Sequence, residues 1–392
     1  WGATPEIMAS PKQLSDLLFR KWKLKPIKFG KTGPSTDKET LIELALEDER
    51  ADLIRQYREA MGNRVKFVTN LAKSAEYNND SHTHPQPKVF GTYTGRLTYG
   101  SKQGSGKAER QTGFALHQMK RSADYRELIR APAGHTIVEL DAAGQEFRWM
   151  AILSGDPTMQ SLCQPGEDPH SFMGSQVSGR AYQEVIEGAH AEDPYFKGIR
   201  QMGKVGNLSL QFRTSAKTLL RTARIEHGMM DMVLPLAEKV HGTYRATYRM
   251  VPRYWETQIA KIKYQRFVQT LAGRRVYVSQ EMIRQYEWSV ESTSINFPVQ
   301  GTGGDQKYLA MSVIRPRLTQ LGARFAIDLH DGLYFMVPDD VLNDFISIAR
   351  GLFDNLPYKK AWGIEPPIPL PWDVKVGKTW GNMIELNKGE TV

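Results

Sequence analysis

Two apolar stretches rich in β-branched or aromatic residues, far apart in the sequence, each carry an aspartate at the end or turn of a predicted strand. Residues 135–141 (HTIVELD) predict a buried strand with Asp141 at its end, followed by a turn and an amphipathic helix. Residues 324–337 predict a hairpin of two apolar strands with Asp331 near its tip, where Gly332 permits the tight reversal. Two carboxylates brought together from distant strands are a natural way to hold divalent metal ions.

Helical periodicity dominates residues 1–70. Ser10 and Pro11 form the N-cap and first-turn pair of a predicted helix. A second helix is predicted to start near residues 35–39, and a third over residues 48–71 carries several Arg and Lys residues. Taken alone, such a run of charge indicates a solvated helix face.

The rest of the chain predicts a mixture of loops, helices and short hairpins. Residues 78–115 are polar and turn-rich, and the glycine-rich stretch 100–107 lacks the flanking strand and helix of a phosphate-binding P-loop. Further along, the pattern predicts alternating helices and loops over 145–265, a hairpin near 270–280, a helix that starts after 298–302 and ends near Leu318, and a C-terminal helix over 339–352.

The composition is that of a globular protein with a basic surface. The 392 residues include 52 Lys and Arg against 43 Asp and Glu, which gives a net charge of +9 and favours a polyanionic partner, either nucleic acid or an acidic membrane. No apolar run of about 18 residues predicts a membrane span. The single cysteine, Cys163, excludes an internal disulfide framework and a cysteine-based zinc cluster. Because the chain starts at Trp1 rather than Met, we expect it to be part of something longer.

The two aspartates suit magnesium better than zinc. Zinc prefers His and Cys ligands, whereas the nine histidines of this chain are scattered. Magnesium takes oxygen ligands, keeps several waters and completes its shell with the phosphates of a substrate. Two such ions about 3.5–4 Å apart can activate a hydroxyl and stabilise a leaving oxygen in one displacement.

A second group of residues has the spacing of a phosphate clamp. Arg200, Lys204 and Leu208 are separated by four residues and share one helical stripe, with Phe212 at its edge. Two cations on one stripe with an apolar platform beyond them could grip a triphosphate and stack a base. The spacing alone fits a basic exposed helix face equally well.

Taken together, these stretches resemble the polymerase region of family A DNA polymerases, the bacterial DNA polymerase I group and its phage relatives. The resemblance runs from about Ser10 to the end of the chain and keeps the order of the family's motifs. The matching stretches are 10–14 (SPKQL), 56–58 (QYR), 94–97 (TGRL), 141–148, 153–156 (LSGD), 168–170 (DPH), 200–212, 270–275 (TLAGRR), 296–302 (NFPVQGT), 330–331 (HD) and 376–380 (VGKTW).

The resemblance implies a role for each matching position. Asp141 and Asp331, with the backbone carbonyl of Ala142, are expected to hold two Mg²⁺ ions, for which Mn²⁺ can substitute. Arg200 and Lys204 are expected to bind the phosphates, and Lys204 to protonate the leaving group. The expected nucleotide-binding residues are Glu146 (the steric gate against a ribose 2′-hydroxyl), His170, Arg200, Lys204, Leu208 and Phe212. The expected DNA contacts are Arg58, Arg96, Arg274, Asn296, Gln300 and His330.

Several positions depart from the family pattern. Ala-Ala-Gly follows Asp141, as in phage relatives. Leu208 replaces the usual Phe or Tyr, which bears on discrimination against chain terminators. Phe212 and Arg213 replace Tyr-Gly, which bears on template handling. Gly332 replaces the usual Glu after the second aspartate, which bears on metal affinity and fidelity.

The resemblance therefore predicts an α+β polymerase right hand. The expected parts are a partial thumb (1–70), a palm in two pieces (71–150 and 297–392) and fingers (151–296), truncated at the N-terminus. The expected reaction is template-directed addition of dNTPs to a primer in the cytoplasm of a bacterial or phage-infected cell, with an exonuclease domain or accessory replication proteins outside this chain. A single-subunit RNA polymerase and a catalytically inactive DNA-binding module are the alternatives. Glu146 argues against the first and the paired aspartates against the second, whereas Gly332 keeps the second open.

Overall fold

Short helices make up the first 80 residues of the protein. The computed structural model describes residues 1–30, 33–80, 82–100, 102–103, 110–113, 115–120 and 122–392. The first part contains α1 (Pro5–Ala9), α2 (Pro11–Ser15), a π-helical turn (Asp16–Lys21), β1 (Phe29–Gly30), β2 (Gly33–Pro34), α3 (Lys38–Ala45), α4 (Glu49–Asn63), a second π-helical segment (Arg64–Thr69) and α5 (Asn70–Asn78).

Side-chain caps start these helices where the sequence predicts them. Ser10 Oγ accepts the N–H of the third residue of α2 (3.4 Å), and Pro11 occupies its first position. Asp48 caps α4 in the same way, and the helical path continues beyond the predicted end into α5. Leu14 and Ile54 are among the buried residues that join these helices into one small core.

Loops with short strands follow, as predicted for residues 78–115. The loop that carries Arg96 packs on the C-terminal half of the protein, since Tyr93 stacks on Phe297 with ring centroids 6.3 Å apart. The glycine-rich stretch 100–107 lies mostly outside the described residues. This part contains β3 (Gln86–Lys88), β4 (Thr98–Gly100), β5 (Lys102–Gln103), β6 (Arg110–Gln111), a 3₁₀ turn (Leu116–Gln118) and α6 (Ala123–Arg126).

A strand and a series of eight helices come next. Glycine allows two of the helices to cross closely, because a Cβ on Gly203 would lie 2.1 Å from the carbonyl oxygen of His170. The elements are β7 (His135–Ala142), α7 (Gln145–Ser154), α8 (Pro157–Ser161), α9 (Pro169–Ser178), α10 (Tyr182–His190), α11 (Pro194–Leu210), α12 (Ala216–His227), α13 (Leu234–Thr247), α14 (Met250–Gln265), β8 (Phe267–Gln269) and β9 (Arg275–Tyr277).

The C-terminal part is built on one long helix and a hairpin. The predicted hairpins at 270–280 and 324–337 and the predicted helix at 339–352 are confirmed. The elements are α15 (Gln280–Gln285), α16 (Glu287–Gln320), β10 (Arg324–Leu329), β11 (Gly332–Pro338), a 3₁₀ turn (Asp339–Val341), α17 (Leu342–Phe353), α18 (Tyr358–Trp362), β12 (Trp372–Gly377) and β13 (Ile384–Leu386).

The prediction that a helix starts only after residues 298–302 is wrong. Helix α16 begins at Glu287 and contains Pro298 in its interior. A proline removes one helical hydrogen bond, but the turn before Pro298 is held by Tyr254, whose hydroxyl donates to the Ile295 carbonyl (3.0 Å). Burial of this turn in the core overrides the local preference of proline. The predicted boundary between fingers and palm at 296/297 falls inside this helix.

Five antiparallel strands form the central sheet in the order β10-β11-β7-β12-β13. Val138 and Leu140 of β7 face the main hydrophobic core. Successive side chains of a strand point to opposite faces, so Glu139 and Asp141 lie on the other face. The register places Gly332 of β11 and Asp373 of β12 directly opposite Asp141.

The hairpin tip turns by a different residue from the one predicted. His330 adopts the left-handed conformation (φ 51°), whereas Gly332 has no positive φ and begins β11. At Gly332 the room for a side chain is limited instead, because a Cβ there would lie 3.0 Å from Asp141 Oδ1. Among the helices of the described residues, none combines the length and apolar character needed to cross a membrane.

Candidate active site

A cavity of about 760 Å³ lies where the end of β7, the hairpin tip and helices α7, α9 and α11 meet. It brings together residues that the sequence places in separate motifs. Of the predicted site residues, the lining includes Arg96, Asp141, Ala142, Glu146, His170, Arg200, Leu208, His330 and Asp331. Lys204 and Phe212, and the DNA contacts predicted at Arg58, Arg274, Asn296 and Gln300, are not part of this lining.

One side of the cavity carries a concentration of carboxylates. The backbone N–H of Ala142 donates to the Asp331 carbonyl (3.2 Å), so the hairpin tip is tied to the end of β7. Burial, with the negative charges of Asp331, Glu139 and Asp373, raises the pKa of Asp141 to about 7. This face therefore holds more negative charge than its protein neighbours neutralise.

Glu139 and Asp373 are carboxylates that the sequence prediction missed. The sequence could have revealed Glu139, because it stands two residues before Asp141 and therefore on the same face of the strand. In the structure it accepts a hydrogen bond from the Tyr334 hydroxyl. Asp373 gives no local signal, because only the pairing of β12 with β7 brings it opposite Asp141. We call Glu139, Asp141, Asp331 and Asp373 the acidic face.

The donor atoms of the acidic face fit a hard cation. Its side chains offer carboxylate oxygens, and the lining also includes Ala142, whose backbone carbonyl is a further oxygen donor. Within the described part of the chain, no group of three or more His, Cys, Asp or Glu side chains is arranged to enclose a metal ion. An open site with few protein ligands is what Mg²⁺ uses when substrate phosphates complete its shell.

Arg96 connects the acidic face to Glu146. Its Nη2 donates to Glu146 Oε1 (2.5 Å) and to Asp331 Oδ1 (3.3 Å). Burial raises the pKa of Glu146, and the guanidinium of Arg96 and the amide of Gln300 oppose that rise. Arg96 therefore supplies positive charge between two carboxylates, at the floor of the cavity.

The opposite side of the cavity is basic. Arg200 of α11 donates from Nε to Asp168 Oδ2 (2.7 Å), and Asp168 also caps α9 through the N–H of His170 (2.9 Å). Burial lowers the pKa of His170 to about 4, and the charges of Arg200 and Lys204 act in the same direction. His170 is therefore neutral at pH 7. We call His170 and Arg200, which line the cavity, together with Lys204 one turn further along α11, the basic face.

The predicted stripe on α11 is shorter than the sequence indicated. Arg200, Lys204 and Leu208 lie on the helix, and Leu208 is 37% exposed at the cavity. Helix α11 ends at Leu210, so Phe212 is beyond it and packs against the main core. Beyond the helix the backbone turns at Arg213, which adopts the left-handed conformation (φ 61°), and the Trp255 indole N–H donates to the Gln211 carbonyl (2.8 Å).

The predicted DNA contacts occupy different environments. Arg58 donates from Nη1 to the Thr36 carbonyl (2.5 Å). Arg274 donates from Nε to Asp305 (2.8 Å) and from Nη2 to two backbone carbonyls, which joins the Arg96 loop to α16. Asn296 and Gln300 lie on α16, and His330 is exposed at the hairpin tip.

Comparison with known proteins agrees with this arrangement. The sequence matches the family described as DNA polymerase family A over residues 3–382. The chain belongs to DNA polymerase family A. Its relatives include the thermostable DNA polymerase I of Thermus caldophilus (27% identity over 382 residues, 96% of this chain and 42% of that protein). They also include DNA polymerase I of Deinococcus radiodurans (26% identity, 95% and 36%) and the DNA polymerase of Bacillus phage SP01 (24% identity, 96% and 40%).

The family A chain spans less than half the length of these curated relatives. A solved structure, the POL domain of Pol1 from M. smegmatis in complex with DNA primer-template and dNTP, is similar with a TM-score of 0.78 and 23% sequence identity. The similarity covers 95% of this chain and 61% of that one. The predicted α+β right-hand fold is thereby confirmed.

Proposed function

We propose that this family A chain catalyses template-directed DNA synthesis. In this reaction the 3′-hydroxyl of a primer attacks the α-phosphate of a dNTP, and pyrophosphate leaves. The observation that carries the proposal is the cavity itself, whose lining brings Asp141, Asp331 and Asp373 of the acidic face together with Arg200 and His170. A metal-bound triphosphate needs this combination, with oxygen ligands on one side for the cations and cationic side chains on the other for the phosphates.

Asp141, Asp331 and the Ala142 carbonyl are the proposed ligands of two Mg²⁺ ions, and Mn²⁺ can replace them. The raised pKa of Asp141 supports this proposal, because bound cations would offset the charge that raises it. When bound, two divalent ions favour ionisation of the primer hydroxyl and neutralise charge that develops on the phosphate oxygens.

The proposed nucleotide contacts lie on the opposite side. Arg200 and Lys204 bind the phosphates, Lys204 protonates the leaving pyrophosphate, and His170 adds a neutral donor. For Arg200 to bind a phosphate, its guanidinium must either contact the phosphate while it keeps Asp168 or release Asp168 altogether. Glu146 acts as the steric gate beneath the sugar, Leu208 lies near the sugar 3′ position, and Phe212 lies beside the templating base.

Primer-template DNA is the proposed partner, as in the similar Pol1 structure. The net charge of +9 supports a polyanionic partner. Arg58, Arg96, Asn296, Gln300 and His330 are proposed to contact the DNA directly. Arg274 also remains a proposed DNA contact, although most of its donors are used within the protein.

The division into thumb (1–70), palm (71–150 and 297–392) and fingers (151–296) is part of the same proposal, with α16 crossing between fingers and palm. The bacterial and phage origin of the relatives supports a place in the cytoplasm of a bacterial or phage-infected cell. Replication and repair are the processes that this activity would serve.

Primer extension tests the proposal. The chain is incubated with primer-template, four dNTPs and Mg²⁺, beside Asp331→Ala and a matched control, Asp340→Ala, which changes an exposed aspartate at the far end of the same hairpin. We expect extension by the parent chain and by Asp340→Ala, and none by Asp331→Ala. Extension that survives in Asp331→Ala, or that is absent from all three, contradicts the proposal.

A further inference from the structure

Gln211 is a polar residue with no part in the proposed chemistry, yet it touches the steric gate. It stands directly after α11 and is fully buried. Its Nε2 donates to Glu146 Oε2 (3.3 Å) and to the Leu208 carbonyl (3.4 Å), while its backbone carbonyl accepts from the Trp255 indole (2.8 Å). The side-chain Oε1 is buried without a hydrogen-bond partner.

The contact completes a two-sided hold on the Glu146 carboxylate. Arg96 donates to Oε1 from the palm side, and Gln211 donates to Oε2 from the end of the fingers helix. A carboxylate anchored at one oxygen can rotate about its last bond, whereas donors at both oxygens fix its plane. The hydrogen bond from the Trp255 indole to the Gln211 carbonyl in turn fixes the backbone that carries this amide.

Filling space in the core does not by itself explain this side chain. A buried polar atom without a partner costs about 1–3 kcal/mol, and Gln211 Oε1 is such an atom. Leucine would fill a similar volume without that cost. The donor to Glu146 is therefore the feature of glutamine that leucine lacks and that the site uses.

We propose that Gln211 is a positioning residue that fixes the Glu146 carboxylate beneath the sugar of the incoming nucleotide and thereby sets discrimination against ribonucleotides. This inference rests on the proposed function of Glu146 as the steric gate. It links sugar selection to the fingers helix, because any displacement of the end of α11 displaces the donor to the gate.

Ribonucleotide discrimination in Gln211→Leu tests the inference. The measurement is the ratio of kcat/KM for a dNTP to kcat/KM for the matching rNTP in single-nucleotide addition. Loss of a hydrogen bond to a charged group predicts a drop in this ratio on the order of 10-fold, with dNTP addition changed much less. Gln201→Leu, which removes an amide on the same helix that lies 3.5 Å from His227, should leave the ratio unchanged.

A double-mutant cycle separates positioning from general damage. In a Glu146→Ala background, Gln211→Leu should cause no further loss of discrimination, because the residue acts through the missing carboxylate. Thermal unfolding of each variant checks the fold, and if Gln211→Leu does not fold, Gln211→Asn, whose amide is one methylene shorter, carries the same prediction.

The outcomes separate this inference from the proposed function. If Glu146→Ala loses discrimination but Gln211→Leu keeps the parent ratio, the positioning role is overturned and the steric gate stands. The positioning role is also overturned if Gln211→Leu lowers the ratio equally in the presence and absence of Glu146. If Glu146→Ala keeps the parent ratio, the steric gate and the inference built on it both fall, while DNA synthesis itself is judged by primer extension.

Discussion

The two faces of the cavity carry opposite charge and are held in place by different means. The acidic face stands on paired strands, where the register sets Asp141 opposite Gly332 and Asp373. The basic face stands on helices, and its Arg200 side chain reaches the cavity from α11, with Lys204 one turn further along the same helix. Backbone pairing therefore positions the carboxylates, whereas side-chain partners such as Asp168 position the cations.

The faces also differ in how completely their charges are compensated. The Arg200 guanidinium has a carboxylate partner at 2.7 Å, and hydrogen bonds from Ser171 and Arg200 outweigh burial and lower the pKa of Asp168. On the acidic face, burial and like charges raise the pKa of Asp141. The negative charge of the acidic face is thus only partly compensated within the protein, whereas Arg200 on the basic face already has a carboxylate partner.

The largest effect is expected from breaking the acidic face. Asp141→Asn should lower the rate of single-turnover nucleotide addition by about 10³-fold or more, because it removes a proposed ligand of the charge-neutralising ions. Glu139→Gln, on the same strand and face but outside the proposed ligand set, should lower it by less than about 10-fold. Equal losses in the two variants would contradict the assignment of ligands.

A smaller effect is expected on the basic face. Lys204→Ala should lower kcat/KM for dNTP addition by about 10–100-fold, the range for a lost charge-assisted hydrogen bond. Lys204→Arg should restore KM more than kcat, because arginine keeps the charge but cannot release a proton. The control is Lys197→Ala, a change on the same helix as Lys204 that breaks an exposed ion pair with Glu192. It should have no effect on dNTP addition. A similar loss in Lys197→Ala would contradict the role of Lys204.

The pKa of Asp141 predicts how stability depends on pH. Its carboxyl ionises near pH 4 when unfolded and near pH 7 when folded, so the folded state holds an extra proton between these values and loses stability as the pH rises. Without metal, Asp141→Asn should therefore be more stable than the parent by about 1–3 kcal/mol at pH 8 and by little at pH 4. Added Mg²⁺ should shrink the difference at pH 8. A pH-independent difference in denaturant unfolding would contradict this account.

The smallest effect concerns the crowding of the acidic face. Gly332→Ala should destabilise the protein by about 1 kcal/mol, because its Cβ would lie 3.0 Å from Asp141 Oδ1. Gly351→Ala on α17, where a Cβ meets nothing within 4 Å, should instead stabilise by about 0.5–1 kcal/mol. Urea unfolding measures the change in stability of both variants. Steric crowding at Gly332 predicts changes of opposite sign, whereas a general response to alanine would change both stabilities in the same direction.

Local patterns in the sequence predicted the elements that hold the site. The strand ending at Asp141 and the hairpin carrying Asp331 follow from apolar runs and turn residues over short windows, and the structure confirms both. The cap at Ser10 was equally local, and so was the start of a helix at residue 48, where the structure has Asp48 as the cap. Most of the fold that supports the cavity was therefore predictable.

Features that depend on distant partners were not predictable. Helix α16 runs through Pro298 because the core and Tyr254 support it. Asp373 joins the acidic face only through the pairing of β12 with β7. The contact between Gln211 and Glu146 joins residues 65 positions apart and forms where α11 ends, beside Trp255. In each case the deciding group lies too far along the chain for a periodic pattern to reveal it.

The central claim is that the acidic and basic faces act on the same nucleotide, joined by a metal ion. The most direct test is the affinity of a dNTP for the protein bound to primer-template with a 3′-deoxy primer end, measured with and without Mg²⁺. We predict that Mg²⁺ tightens binding to the parent chain, that Asp331→Asn loses this tightening, and that Arg200→Gln binds more weakly but still responds to Mg²⁺. An Asp331→Asn variant whose dNTP affinity responds to Mg²⁺ as the parent does would contradict the account.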